Sequence, residues 1–327
     1  MYCLGIESTA HTFGISIVER YSRKVFSNVR DMFRSESGGL IPVELSEHHV
    51  AVWESVLHSA IERAGISLSD ISLIAYSRSP GLGHALRIGS IVARCLSLRL
   101  GVPLVGVNHC IAHLEVGRVH SGFADPVLLY ASGANTQIIA LEEGLYRVFG
   151  ETIDLGVGNF LDSVARFLGL GFPGGPALER LAAEYSGPLL PLPYSVKGMD
   201  VSFSGMQTAV RSLLSSHSPQ AIAFSVQEHA FALLVEVSER ALAHTGKQSL
   251  VLGGGVACNQ RLSSMCQRMC SVRGVSCFIP DKEFLVDNGA MIALLGIRHA
   301  EKNLFIPVSQ AGIDPYERTD EVSSLHQ

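Results

Sequence analysis

The sequence lacks several features, and each lack excludes something. It contains no run of about 18 or more apolar residues, so no membrane-spanning helix is expected. No basic stretch precedes the first apolar segment, and Glu7 interrupts that segment, so a secretory leader is not expected either. The seven cysteines are scattered and include no CxxC pair, the usage of a reduced, cytoplasmic chain. Cys266 and Cys270 stand one helical turn apart and read as core residues rather than ligands. A basic excess is also missing. The formal net charge is −5, whereas a protein that grips nucleic acid unaided usually carries a positive surplus.

What is present is ordinary globular material. The chain has 327 residues, 47% apolar and 17% charged, with a mean hydropathy of +0.28. That length and apolar content suit two domains or one duplicated architecture. Positive charge is only local: "ERYSRKVFSNVRDMFR" holds Arg20, Arg23, Lys24, Arg30 and Arg34. The preferred reading is a solvated face. The alternative is one wall of an RNA site that a partner completes.

Periodicity predicts the elements. "MYCLGIESTAHTFGISIVER" reads as strand, polar turn, strand. "SEHHVAVWESVLHSAIERAG" reads as a helix with Ser46 as its cap, Trp53, Leu57, Ile61 and Ala64 on one face, and Gly65 as its end. "ISLIAYSRSPGLGHALRIGSIVARCLSLRLG" gives strand, glycine turn and helix, and "VPLVGV" the next strand. Near residue 126 the layout restarts. "PVLLYASGANTQIIALEEG" repeats the apolar, small-polar, apolar order of "LGIESTAHTFGISIVE". This points to internal duplication, with domains at 1–125 and 126–327, the second carrying inserted helices and a loop. A long helix follows, capped by Ser218 with Pro219 at its first position. Its apolar stripe runs Ile222, Val226, Ala230, Leu233, Val237 and Ala241. "GPLLPLPYSVKGMDVSFSGM" is an irregular loop, and "SLVLGGGVACNQRL" a strand, triple-glycine turn and helix.

Some residues can carry chemistry. His109 and His113 in "VGVNHCIAHLEVG" are four apart, which on a helix puts both imidazoles on one face. They can meet one ion, or simply bond to backbone on a half-buried helix. Asp287 in "FLVDNGAMIALLG" is the best converging carboxylate, unless it is only an N-cap. A metalloprotease is excluded, because HExxH needs an acid beside the first histidine, and Cys110, Ile111 and Ala112 stand there. The turns Ser132–Thr136, Gly253–Asn259 and Gly174–Gly175 can each admit a phosphate or just reverse the chain. Three of them together favour nucleotide binding. Glu179 can accept ribose hydroxyls. Asp162 is a helix-dipole partner or a ribose or substrate contact.

These segments resemble one family. "GIESTAHT", "SPGLGHALRIG", "NHCIAHLEVG", "LYASGANTQ", "GNFLDSVAR", "GFPGGPALERLA", "KGMDVSFSGMQTAV", "LGGGVACNQRL" and "VDNGAMIA" occur in order from Gly5 to Ala293. The chain is similar to the family that makes N6-threonylcarbamoyladenosine in tRNA, in its archaeal and eukaryotic branch, the catalytic subunit of the KEOPS complex. The resemblance implies an α/β actin-like ATPase fold: two related RNase H-like domains with a nucleotide cleft between them. It implies transfer of threonylcarbamoyl from threonylcarbamoyl-adenylate to N6 of the adenosine 3′ of the anticodon, in tRNAs reading codons that begin with A. It also implies one divalent metal, iron or zinc, held by His109, His113, Tyr130 and Asp287. ATP or the adenylate donor would contact Tyr130, Ala131, Ser132, Gly133, Ala134, Asp162, Gly175, Glu179 and Asn259. The implied partners are tRNA and the KEOPS subunits, an atypical small kinase and small accessory proteins, with no membrane. No kinase domain follows, so a stand-alone subunit is expected. Ala134 departs from the family's usual second glycine, and its methyl group would crowd a phosphate unless φ there is negative.

Two other classes fit the glycine turns. A sugar or acetate kinase would use an aspartate base and would lack the paired histidines. A non-catalytic ATP-binding scaffold would not need a ligand set.

Overall fold

The computed structural model describes residues 1–33, 41–171 and 173–322. Arg34 of the basic run lies outside them. The chain divides into two compact units. The first comprises Met1–His120, Glu142–Tyr146 and Val286–Gln327, and the second Ser121–Leu141 and Arg147–Leu285.

In the first unit, strands β1 (Tyr2–Glu7), β2 (Thr12–Glu19) and β3 (Val25–Met32) precede helix α1 (Pro42–Ala64). Strand β4 (Ile71–Ser79), helix α2 (Gly83–Leu100), strand β5 (Leu104–Asn108) and helix α3 (His109–Ser121) follow. The sheet order is β3-β2-β1-β4-β5. β1 and β2 pair antiparallel, as do β2 and β3, while β1–β4 and β4–β5 are parallel. α1 begins four residues before Ser46. Pro42 starts it, since its fixed φ and missing N–H suit a first turn. Ser46 therefore sits inside the helix and donates to the Val43 carbonyl at 2.8 Å. Gly65 ends α1 at φ 66°, as its position predicts. Trp53, Leu57, Ile61 and Ala64 pack on the first core.

The second unit opens with strands β6 (Val127–Ala131), β7 (Thr136–Glu142) and β8 (Leu145–Glu151). Helices α4 (Val157–Phe167) and α5 (Gly174–Ala183) come next, then a short hairpin of β9 (Val196–Lys197) and β10 (Asp200–Val201). Helices α6 (Ser204–Leu213) and α7 (Pro219–Thr245), strand β11 (Ser249–Gly253), helix α8 (Gln260–Arg273), strand β12 (Ser276–Phe278) and helix α9 (Lys282–Leu285) complete it. Its sheet runs β12-β11-β6-β7-β8. Numbered within the sheet and read from β8, that is the same third-second-first-fourth-fifth order as in the first sheet. The directions also repeat where both are defined: β6–β7 antiparallel, β6–β11 and β11–β12 parallel. The restart near residue 126 is thus a repeated topology. All six residues of the α7 stripe are buried, and so are Cys266 and Cys270. Ser218 caps α7 by accepting from the Ala221 amide at 3.2 Å. α7 is the helix long and apolar enough to span a membrane among the described residues, but 67% of its apolar window is buried, as suits a core helix.

The last helix, α10 (Gly289–Glu301), belongs to the first unit. A single division at residue 125 therefore differs from the compact units, which return residues 286–327 to the first. The reason is packing. Successive strand residues face opposite sides of a sheet. Ile6 on β1 faces α2, whereas Gly5 faces α10, and a Cβ on Gly289 would lie 2.6 Å from the Gly5 carbonyl oxygen. α10 is buried along nearly its whole length, so it can only be a core element of the sheet it covers.

Candidate metal centre and glycine turns

α3 starts where it does because Asn108 caps it. Its Oδ1 accepts from the amides of Cys110 at 3.0 Å and Ile111 at 3.2 Å. His109 is thereby placed at the first helical position, and His113 one turn on. Both are buried, with ring centroids 4.9 Å apart. Asp287 arrives from the segment before α10. Its Oδ1 lies 3.4 Å from His109 Nε2 and 3.7 Å from His113 Nε2. The three ligand atoms fall within 4.8 Å of one another. The N-cap of α10 is Asn288, which accepts from the Met291 amide at 3.0 Å. The capping alternative for Asp287 is thereby removed, and its carboxylate is left to the histidines.

Two residues of this cluster were not singled out from sequence. Glu7 Oε2 lies 2.9 Å from His109 Nδ1. Glu7 Oε1 accepts from the Thr9 amide at 2.6 Å and from the Thr9 hydroxyl. Thr9 Oγ1 is also 3.2 Å from His109 Nδ1. A fully buried carboxylate beside Nδ1 fixes the proton there and leaves Nε2 as the lone-pair nitrogen. The signal that could have found Glu7 is an acid closing an apolar strand, where an unpaired charge would be costly.

The donor set suits a cation. A lone-pair nitrogen facing a carboxylate oxygen repels it unless a proton or metal ion lies between. Burial alone would raise the Asp287 carboxyl, but positive charge on His109, and then hydrogen bonds from His109 and His113, outweigh it and hold Asp287 well below the usual carboxylate range; with the rings neutral, a bound cation takes over that role. Burial lowers His113, against the pull of Asp287, and so favours the neutral ring that a metal requires. Two imidazoles and one carboxylate match the ligands of zinc and non-haem iron.

The second unit holds the glycine turns. Ser132 closes its turn with Asn135: its amide donates to the Asn135 carbonyl at 2.9 Å and its hydroxyl at 3.1 Å. The turn is seated on α4, whose Gly158 and Asn159 amides donate to the Ser132 and Gly133 carbonyls at 3.0 and 2.9 Å. Gly133 and Ala134 are exposed at the tip. Positive φ outside glycine occurs, among the described residues, at Arg23, Glu143 and Asn303. Ala134 therefore has the negative φ that removes the conflict with its methyl group. Tyr130 and Ala131 are buried on β6. Gly254 needs its freedom, with φ 87° and no room for a Cβ against the Ala131 carbonyl.

The remaining candidates are tied to helix starts. Asp162 sits within α4 and accepts from the Gly174 amide at 2.8 Å, the first residue of α5. Glu179 accepts from the Gln260 amide at 2.7 Å, the first residue of α8. Asn259 caps α8 through the Arg261 and Leu262 amides at 2.9 and 3.3 Å. Gly175 has open space where a side chain would be.

Comparison with known proteins settles the class. A family model described as TsaD, tRNA N6-adenosine threonylcarbamoyltransferase, matches residues 24–294. The chain belongs to this family. A relative of that name from Thermococcus kodakarensis is 50% identical over 324 residues, 98% of each chain. A Methanothermobacter thermautotrophicus protein, described as a probable bifunctional tRNA threonylcarbamoyladenosine biosynthesis protein, is 51% identical over 297 residues. That match takes in 90% of this chain and 55% of that one. Among solved structures, T. kodakarensis HypF aligns with TM-score 0.66 at 16% identity, over 92% of this chain and 48% of its own. Component A of the Acidaminococcus fermentans (R)-2-hydroxyglutaryl-CoA dehydratase gives 0.57 at 15%, over 92% and 99%. Likeness at such identities shows the fold alone, and it is the actin-like ATPase fold. Membership makes the chain a transferase that modifies adenosine in tRNA with a threonylcarbamoyl group.

Proposed function

We propose that His109, His113 and Asp287 hold one divalent cation, iron or zinc, and that the transfer reaction is run at that centre. The observation that carries this reading is the convergence of the three ligand atoms within 4.8 Å, with the second nitrogen of His109 already committed to Glu7. Tyr130 joins as a fourth ligand on the family resemblance. A cation bound there supplies Lewis-acid polarisation and a template for the donor's oxygens. Glu7 and Thr9 keep His109 in one tautomer and orientation. The tip amides of Gly133 and Ala134, with the turn at Gly253–Asn259, receive the phosphate of ATP or threonylcarbamoyl-adenylate. Asp162, Gly175, Glu179 and Asn259 serve as donor contacts or hold the helix starts that line the donor.

The chemistry asks mainly for positioning. The exocyclic amine of the target adenosine attacks the carbamoyl carbonyl, the bond to the adenylate phosphate breaks, and AMP departs. A weak nucleophile and an anionic leaving group need alignment and charge stabilisation more than a strong base. RNA loops present unstacked bases, so the adenosine next to the anticodon is accessible. Partner subunits supply much of the tRNA-binding charge, a reading supported by the net charge of −5. Those partners are the small kinase and accessory proteins of a KEOPS complex in the cytoplasm. A relative described as bifunctional, of which this chain matches 55%, supports the existence of a second functional module.

The test is metal analysis and tRNA modification with purified partners and donor. His109→Ala is expected to lose both bound metal and transfer while remaining folded. Metal content equal to the parent in that variant removes the assignment.

A further inference from the structure

A second histidine pair stands apart from the candidate ligands. His48 and His49 are neighbours on α1 and belong to one hydrogen-bonded row. Asp31 Oδ1, on β3, lies 2.8 Å from His48 Nε2. His48 Nδ1 lies 3.2 Å from His49 Nδ1. His49 Nε2 lies 3.0 Å from the carbonyl oxygen of Ala10. Ala10 belongs to the turn that carries Glu7 and Thr9 to His109. The row thus runs from a half-exposed carboxylate, through a fully buried ring, to the backbone beside the candidate metal centre.

Both ends of the row can only accept. A carboxylate and a carbonyl have no hydrogen to give. Three bonds therefore require three N–H groups from four ring nitrogens. His49 must donate from Nε2 to Ala10, so its neutral ring offers Nδ1 as an acceptor. His48 must then donate from both nitrogens, one toward His49 and one toward Asp31. Burial, and then His48 beside it, lowers His49 to about 4, which keeps that ring neutral. The ionisable groups acting on His49 are His48 on its own helix, His11 in the turn and Asp31 on β3. β2 presents the Phe13 ring, edge-on at 5.4 Å, and Phe33 packs on His48 at 5.7 Å.

We propose that Asp31, His48 and His49 form a brace holding three ring protons, with His49 as a positioning residue for the Glu7–Thr9 turn. The turn's other anchors are backbone amides: Leu82 to the Thr9 carbonyl at 2.8 Å, Phe33 to the His11 carbonyl at 2.8 Å, and Ser8 to Ser77 Oγ at 2.9 Å. His49 fixes the Ala10 carbonyl between them, and a tilt of that peptide moves Thr9 and Glu7 relative to His109. The effect on metal affinity rests on the proposed centre, whereas the proton count does not.

The experiment uses the full chain with 15N-labelled histidine, read by ring NMR at neutral pH, beside Co2+ binding followed by visible absorption. One ring protonated on both nitrogens is expected next to one protonated on Nε2 alone, and Asp31→Leu abolishes that pattern. His49→Leu is expected to weaken Co2+ binding about tenfold, while His49→Gln, whose amide reproduces the Nε2 donor, stays within about twofold. Two singly protonated rings overturn the brace. Leu and Gln variants that bind Co2+ alike overturn the positioning role. If His49→Leu does not fold, His49→Asn, whose amide is too short to reach the Ala10 carbonyl, takes its place in the binding arm with the same threshold. Parent protein that binds no Co2+ sinks the metal reading, and the ring protonation then decides the brace by itself.

Discussion

The β1–β2 turn and the β6–β7 turn occupy the same place in two sheets of the same strand order, and they do different things. The first is buried at Ser8 and Thr9, and the carboxylate at its β1 edge, Glu7, is committed to Thr9 and His109. The second is small and exposed at Gly133 and Ala134, and it is closed on itself through Ser132 and Asn135. One turn has become a support for an imidazole. The other has stayed a loop of short side chains with accessible backbone. The two sheets share one topology and differ in a few turn residues, as expected where function sits on loops held by rigid elements.

The largest effect should come from the contact that distinguishes the first half. Gly289→Val forces a side chain into the Gly5 carbonyl and should cost more than roughly 3 kcal/mol, seen as lost folded yield or a much lower unfolding midpoint. A variant as stable as its parent would show that this close approach does not close the site.

Acid comes next. His49 and His299, both buried in the first unit, are lowered to about 4, chiefly by burial. The unfolded chain takes up these protons near 6.5, the folded chain only near 4. Stability is therefore complete above about 6.5 and falls as pH drops toward 4, by roughly 1.4 kcal/mol per pH unit for each group. In the second unit Asp154 is lowered instead. Burial alone would raise it, but the Ser202 and Ser204 donors outweigh this, so its contribution survives to much lower pH. Denaturation monitored separately in the two units should show the first failing earlier. Simultaneous loss would erase the contrast.

A smaller effect tests the turns directly. Glu7→Gln should weaken metal binding about 10- to 100-fold with little change in unfolding midpoint, while Ser132→Ala leaves metal affinity as it was. Equal effects from both would mean the two turns are not specialised. The smallest change is Ala134→Gly. Since φ there is already negative, glycine only adds freedom to the unfolded chain and should lower stability by about 0.4–1 kcal/mol. A large gain in nucleotide affinity would show that the methyl group does obstruct the phosphate.

Much of the fold was legible because periodicity and caps are local. Gly65, Ser218 and the α7 stripe are read from adjacent residues, and they stand where expected. The start of α1 was misplaced because Ser46 is a better cap than Ile41, yet Pro42 overrides it by fixing φ. Of the candidate centre, the two histidines were legible as an i, i+4 pair. Asp287 was legible only as a candidate, since an aspartate next to a helix start is ambiguous until Asn288 is seen to do the capping. Glu7 and Thr9 were not legible, because their partner lies a hundred residues away in the chain.

The sequence by itself determined the elements, the repeat, the family and the helical spacing of the imidazoles, all properties of short segments or of motifs in order. The tertiary structure alone decided that Asp287 meets those imidazoles and that Glu7 stands behind one of them. The physical reason is that Gly5 and Gly289, each without a side chain, let β1 and α10 approach at backbone distance. Such an approach depends on two surfaces fitting, and neither segment contains that information alone.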